Sequence, residues 1–420
     1  MGGRVPWEAD QTESSAREDA YDLEAALSLR AQKMAWSPWF QGQLPQPSKP
    51  PIFLTGGVPD PASLPIDEFI ACNETVLRRE GEQALMYGGP QGPTGLRDWL
   101  ASDINRREGI TTDKTNFVLT TGSAGAFENV CETFLDPGDV VILEQPCFAG
   151  STRIALSCLP EIVTVPMDDD GLDVAALAQV TDRIAAEGKR AKMLYTIPNF
   201  QNPAANTLSL ERRKAVVEIC KRHGILIAQD DAYGAIAFDR EPLPSLYTVA
   251  GGTGAVLMGT FSKTLATGLR VGWIMGEKPV IDAITRMRFD MGVSPWTTRV
   301  ITEFCTSGDY DSHVLKMIEI YRRKRDVMLS AMDERCASYM KWGVPKGGFF
   351  IWAELNKHID PAKLRMMANE EAVGHVGGEA FFADGSGDNF VRLCYSNVAE
   401  ADIPEAIMRF GRALERATRD

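Results

Sequence analysis

A lysine at position 263 stands on a short hydroxyl-rich turn, Gly259-Thr260-Phe261-Ser262-Lys263-Thr264, between two apolar runs, Ala255 to Met258 and Val271 to Met275. An ammonium held among buried strands loses its proton more readily than one in water. The free amine is then a nucleophile able to form a Schiff base with an aldehyde. Thr260 and Ser262 add hydroxyls, and Arg270 adds a fixed cation of the kind that binds phosphate. A Schiff-base lysine beside a phosphate clamp is the equipment for an aldehyde that carries a phosphate.

The same reading picks out partners elsewhere in the chain. The strand Ile225 to Ala228 runs into Asp230, and a carboxylate at the carboxyl end of a buried parallel strand is costly unless it meets a cation. Tyr233 follows, able to hydrogen-bond a ligand. Lys192 to Tyr195 reads as a strand ending in Pro198-Asn199-Phe200-Gln201-Asn202-Pro203. The proline holds Asn202 out of the helical region, so its amide either points at a ligand or serves the turn. The strand Phe117 to Thr121, the turn Gly122-Ser123-Ala124-Gly125 and a helix from Ala126 aim free N–H groups and a positive helix end at an anion. Beyond the strand Val140 to Leu143, Phe148 offers a ring for stacking or a piece of core. Arg392, on the strand Asn389 to Leu393, carries the two-pronged donor that suits a carboxylate. The paired glycines Gly56 and Gly57 let backbone approach a ligand or simply make a turn.

Thr260-x-Ser262-Lys263 followed by Gly268-Leu269-Arg270-Val271-Gly272 resembles the lysine motif of fold-type I pyridoxal-phosphate enzymes. With Asp230, Tyr233, Asn202 and Arg392 in their order, the chain resembles the class I/II aminotransferases, nearest the branch of 2-aminoadipate and aromatic amino-acid aminotransferases. The resemblance covers about residue 20 to the end. It implies pyridoxal 5'-phosphate as cofactor, amino acids and 2-oxo acids as substrates, and a homodimer with a shared active site. Lys263, Asp230 and Tyr233 become the catalytic residues. Asn202, Phe148, Ser123, Ala124, Gly125, Thr260, Ser262 and Arg270 join them in holding the cofactor, with Tyr87 reaching the phosphate of the partner subunit. Arg392, Gly57, Asn202 and Phe40 bind substrate. Two departures stand out. Ala204-Ala205 replaces the Thr-Gly of one branch, and Phe40, flanked by Trp36 and Trp39, stands where the lid of the family carries arginine. An arginine there would read an acidic side chain, so Phe40 implies a bulky apolar or uncharged donor, unless another basic residue such as Arg30 reads the side chain. The same parts also serve elimination, decarboxylation-coupled deamination or oxidation. A regulator-like, non-catalytic reading expects a DNA-binding winged helix ahead of the domain, which the acidic, proline-rich start cannot hold.

Alternation of strands and helices places these residues on a mostly parallel sheet flanked by helices, an α/β fold with ligand at the carboxyl edge. The expected division is a disordered arm over 1–20, a lid segment over 21–55 that belongs with the small domain, a large cofactor-binding domain over 56–300 and a smaller α+β domain over 301–420. The long helix Ser312 to Met332 opens the last of these. A net charge of -13 and a pI near 5.0 argue against nucleic acid and anionic membranes. Eight scattered cysteines, without a Cys-x-x-Cys pair or a Cys/His cluster, indicate reduced cytoplasmic thiols and no metal.

Overall fold

The computed structural model describes residues 22–34, 47–238 and 243–418. The expected arm, Trp36, Trp39 and Phe40 lie outside these residues. An eight-stranded sheet runs in the spatial order Phe117–Thr120, Gly272–Met275, Ala255–Thr260, Leu226–Asp230, Ala191–Thr196, Val140–Gln145, Glu161–Asp168 and Gly171–Leu172. The five strands from Ala255–Thr260 through Glu161–Asp168 are mutually parallel. Gly272–Met275 runs against both its neighbours, and Gly171–Leu172 runs against Glu161–Asp168.

Helices cover both faces, so these strands are apolar on both sides, as a parallel sheet requires. In Val140–Gln145 the side chains of Val140 and Ile142 join one core cluster while Val141 and Leu143 join the other. The helix Leu210–His223 obeys its sequence signals. The Ser209 hydroxyl accepts from the Arg212 N–H at its start, and Gly224, left-handed at φ 64°, ends it.

A second sheet, wholly antiparallel, orders Met340–Trp342, Phe350–Leu355, Phe390–Cys394 and Val376–Gly377. It packs with the helices Asp309–Arg335 and Ile403–Arg416 in a third core cluster, which also takes Leu54, Phe200 and Tyr233. Ile52–Phe53 pairs in parallel with Val373–Gly374, so the chain just before the paired glycines is attached to this smaller unit. The expected boundary at 300 falls inside the helix Pro295–Thr306. Val300, Ile301 and Phe304 of that helix are buried in the core of the large sheet, so that unit continues through the helix.

One buried ion pair fixes the glycine loop to the long helix. Lys324 is 2% exposed, and its Nζ lies 3.1 Å from Asp60 Oδ2 while donating to Ser396 O at 2.9 Å. The Asp60 N–H also donates to Tyr321 Oη at 3.0 Å. Removing one member of a buried pair leaves the other charge uncompensated, which costs about 3–5 kcal/mol. Lys324→Met is therefore expected to lower the urea midpoint of the transition that includes the small unit and to raise KM for the amino donor. A midpoint and KM equal to those of the parent would show that the pair holds nothing in place.

Candidate active site

The parallel strands all end at one edge of the large sheet, and the expected residues gather there. Asp230 is the last residue of its strand, and in the neighbouring strand its register partner is Met258. That neighbour, Ala255–Thr260, leads into the turn that carries Lys263. The cavity between this edge and the smaller sheet encloses about 340 Å³. It is lined from the large unit by Ser123, Ala124, Phe148, Asn202, Asp230, Tyr233, Thr260, Ser262, Lys263 and Arg270, and from the other side by Gly57 and Arg392. Gly122 of the expected anion-facing turn also lines it, and Thr55, Ile197, Ala232, Thr267 and Phe350 complete much of the wall without having been foreseen from sequence.

Lys263 Nζ donates to Gly57 O at 2.7 Å and lies 5.9 Å from the centre of the Tyr233 ring. Burial pushes its pKa down to about 8. The Cys394 thiol and Asp230 oppose that shift, and the guanidiniums of Arg392 and Arg270 reinforce it. Gly57 has to be glycine: a Cβ there would come within 2.6 Å of Phe350 Cζ. Asp230 is 5% exposed, and burial raises its carboxyl to about 6. A hydrogen bond from Tyr195 opposes this, the charge of Asp231 adds to it, and Lys263 and the Ala232 N–H counter it. Tyr195 Oη donates to Asp230 Oδ2 at 3.0 Å, whereas Oδ1 accepts no hydrogen bond of ordinary geometry among the described residues.

At the other end of the cavity Arg270 is left-handed at φ 51°, ψ 41°. A non-glycine residue there is a strain of the kind that clusters at functional sites. Its guanidinium donates to Thr121 O at 3.1 Å, at the start of the helix Gly122–Phe134. The helix begins at Gly122 rather than Ala126, because Gly122 takes a φ of 80° that admits the sharp entry from the strand. Only the first few N–H groups of a helix lack an internal acceptor, so Gly122, Ser123 and Ala124 offer theirs to an anion. Gly125 falls one residue beyond and does not line the cavity: a Cβ there would meet the Thr121 side chain at 2.2 Å. Beside the turn, the Ser262 N–H donates to Thr260 Oγ1 at 3.1 Å.

Arg392, 2% exposed, lies between two rings, 4.1 Å from the centre of Phe350 and 4.9 Å from that of Phe381. It donates to Asn202 Oδ1 and to Thr55 O, each at 2.8 Å. Burial lowers its pKa, yet a guanidinium stays charged. Tyr87, expected to serve the partner subunit, and Arg30, the alternative reader of an acidic side chain, both lie away from the cavity. Tyr87 is 81% exposed on the loop after Glu82–Leu85 and is absent from the wall. Arg30 faces Glu132 at 3.8 Å on the surface.

These groups fit an anionic pyridine aldehyde: a partly neutral lysine, a buried acid on the cavity wall with one oxygen that accepts no hydrogen bond of ordinary geometry among the described residues, and a helix start beside an arginine. Over residues 56–410 the chain matches the family described as aminotransferase class I and II. The chain belongs to that family. It is 34% identical over 366 residues to aromatic-amino-acid aminotransferase 1 of Thermococcus litoralis, covering 87% of this chain and 88% of the relative. Among solved structures it resembles the kynurenine aminotransferase of Pyrococcus horikoshii, with TM-score 0.84, 30% identity and coverage of 88% and 91% of the two chains. It also resembles LysN, the alpha-aminoadipate aminotransferase of Thermus thermophilus solved with N-(5'-phosphopyridoxyl)-L-leucine, with TM-score 0.81, 32% identity and coverage of 87% and 92%. The molecule is thus a fold-type I aminotransferase dependent on pyridoxal phosphate.

With Lys263 held at about 8, its neutral fraction falls about tenfold per pH unit below that value. The rate at which cofactor-free protein captures pyridoxal phosphate is expected to climb from pH 6 to about 8 and then level off, and to vanish in Lys263→Ala. A rate still climbing through pH 10 would mean an ordinary solvated lysine.

Proposed function

We propose that this aminotransferase acts on an α-amino acid with a bulky apolar or uncharged side chain. The observation that carries this reading is the placement of cations. Among the described residues that line the cavity, the cations are Lys263, Arg270 and Arg392. In the proposed assignment Lys263 takes the aldehyde, Arg270 the phosphate and Arg392 the α-carboxylate. No cation then remains on the described wall for an acidic side chain. The sequence position of Phe40 supports the same choice, as do the names of the aromatic-amino-acid and kynurenine aminotransferases among its relatives.

Bound pyridoxal phosphate supplies an electron sink for the charge left at Cα when its proton departs. The residues of the chain do the rest. With the cofactor bound, the Lys263 amine would be placed to move a proton at Cα, a task for which a pKa lowered to about 8 is suited. Of the residues lining the cavity, Asp230 would hold a proton on the ring nitrogen, and Tyr233 and Asn202 would serve the ring oxygen. Arg392, fixed by Asn202 and Thr55, orients the carboxylate and so the bond to be broken. Ser123, Ala124, Thr260, Ser262 and Arg270 would hold the phosphate, and Phe148 would stack on the ring.

The reading includes a homodimer. The exposed Leu85, Met86 and Tyr87, with Phe289 at 90% exposure, form apolar surface that a second copy would cover, bringing Tyr87 to the partner site. A reducing cytoplasmic setting agrees with eight free, buried cysteines.

A donor series measured as kcat/KM tests the substrate class: aromatic and long uncharged donors are expected to exceed glutamate and 2-aminoadipate by tenfold or more. An acidic donor leading by that margin would overturn it. Arg392→Lys is expected to raise KM for every donor by one to two decades, because a two-pronged contact becomes a point charge.

A further inference from the structure

Asp230 is supported from behind by a hydroxyl chain that the motif reading missed. Tyr195 is fully buried on the neighbouring strand, with Ala228 as its register partner. Its ring packs on Phe127 with centroids 4.4 Å apart. Its hydroxyl donates to Asp230 Oδ2 at 3.0 Å and accepts from Ser151 Oγ at 2.6 Å. Ser151 is buried in turn, on the helix Ala149–Ser157 that follows Phe148. The order of donation is fixed by its end point, since an ionised carboxylate can only accept. Ser151 therefore donates to Tyr195, and Tyr195 to Asp230, each bond polarising the next.

This chain divides the labour of the two carboxylate oxygens. Oδ2 is held by Tyr195, while Oδ1 of this cavity-lining residue is buried without a hydrogen bond of ordinary geometry among the described residues. A second acid stands close by. Glu144, 2% exposed on the strand Val140–Gln145, accepts from Thr196, from the Ile197 N–H and from Gln201, and burial raises it to about 7. Two buried acids on nearby strands repel one another when both are charged. Burial is the largest influence on both, and their hydrogen-bond donors offset it. Tyr195 serves Asp230, the acid on the cavity wall.

We propose that Tyr195 and Ser151 are positioning residues for the cofactor: they keep Asp230 an anion and hold its Oδ1 toward the site of the pyridine nitrogen. The proposal rests on Asp230 being the partner of that nitrogen. The competing role for Tyr195 is space-filling against Phe127, and Tyr195→Phe separates the two because it keeps the ring and removes the hydroxyl.

The experiment compares the parent with Tyr195→Phe, Ser151→Ala and Asp230→Asn as cofactor-free proteins, titrated with pyridoxal phosphate by fluorescence between pH 5.5 and 8.5. The titratable groups that face Asp230 are Tyr195, Glu144, Cys147, Asp231, Tyr233 and Lys263, and all but Tyr195 are the same in the parent and in Tyr195→Phe. A hydrogen bond to a charged group is worth roughly ten- to hundredfold in a constant. Tyr195→Phe is therefore expected to weaken cofactor binding by about tenfold or more near pH 6.5. The deficit should narrow toward pH 8.5, where Asp230 ionises without help. Ser151→Ala should shift the same pH profile in the same direction by less. Parent-like affinity and an unshifted profile in Tyr195→Phe would overturn the proposal. If that variant does not fold, an unshifted profile in Ser151→Ala does so instead. Asp230→Asn keeps the premise separate: cofactor affinity unchanged in that variant overturns the assignment of Asp230 itself. Weakened binding there with parent-like Tyr195→Phe overturns only the role of Tyr195.

Discussion

The site depends on keeping one carboxylate charged where water is scarce. Burial pushes Asp230 toward its neutral form, and a neutral acid cannot hold a proton on a pyridine nitrogen. The fold answers with geometry available only to a parallel sheet. Because Ala191–Thr196, Leu226–Asp230 and Ala255–Thr260 are adjacent and point the same way, the hydroxyl donor, the acid and the turn bearing the lysine emerge side by side at one edge. The electrostatics are reciprocal. The acid raises the pKa of Lys263 and the lysine lowers that of Asp230, while burial drives both toward neutrality. The result is a lysine that can act as a base beside a cavity-lining acid with one oxygen that takes no hydrogen bond of ordinary geometry among the described residues.

The opposite wall belongs to the smaller unit and is held by different physics. Arg392 leaves the strand Phe390–Cys394 between two aromatic rings, which restrict its torsions without offering a competing anion. The glycine loop in front of it is tied by backbone and buried polar bonds: Leu54 O accepts from the Cys394 N–H, Val58 O accepts from Ser396 Oγ, and Asp60 pairs with Lys324. The Lys263 bond to Gly57 O then crosses the cavity from one unit to the other. Whatever displaces that ammonium from Gly57 alters the connection between the two walls, so cofactor binding and the placement of the glycine loop are coupled through one hydrogen bond.

Residues whose meaning is local were legible in the sequence. Lys263 announces itself by standing on a polar turn between apolar runs, and Asp230 by ending one, so both could be placed at strand ends before any pairing was known. Tyr195 and Glu144 were not legible, because each reads as a member of a buried strand until the order of strands puts it beside Asp230. Strand order is a property of crossovers and carries no mark in any short window. Gly125 was included for a related reason: the start of the helix was set at Ala126, and moving it back to Gly122 puts the open N–H groups on earlier residues. The division at 300 followed a change in composition, whereas the burial of Val300, Ile301 and Phe304 shows that composition changed before the core did. Phe40 was legible only through resemblance and lies outside the described residues.

The net charge of -13 has little bearing on substrate choice. At physiological ionic strength exposed charges are screened over about 8 Å, so the overall field of the protein barely distinguishes a neutral amino acid from an acidic one at contact. Discrimination has to come from the wall itself. A second carboxylate brought into the cavity loses hydration and finds Asp230, already short of donors, across a small space. Its natural counter-charges are committed: Arg392 lies between Phe350 and Phe381 with Asn202 and Thr55 as acceptors, and Arg270 reaches back to Thr121 beside the helix start. An uncharged side chain meets none of these costs, and against Ile197, Phe148 and Phe350 it gains the ordinary benefit of leaving water. The selectivity proposed for this enzyme therefore needs no device that recognises the favoured donor; it follows from cations already engaged at the two ends of the cavity and a wall between them whose described residues give an acidic side chain no cation to pair with.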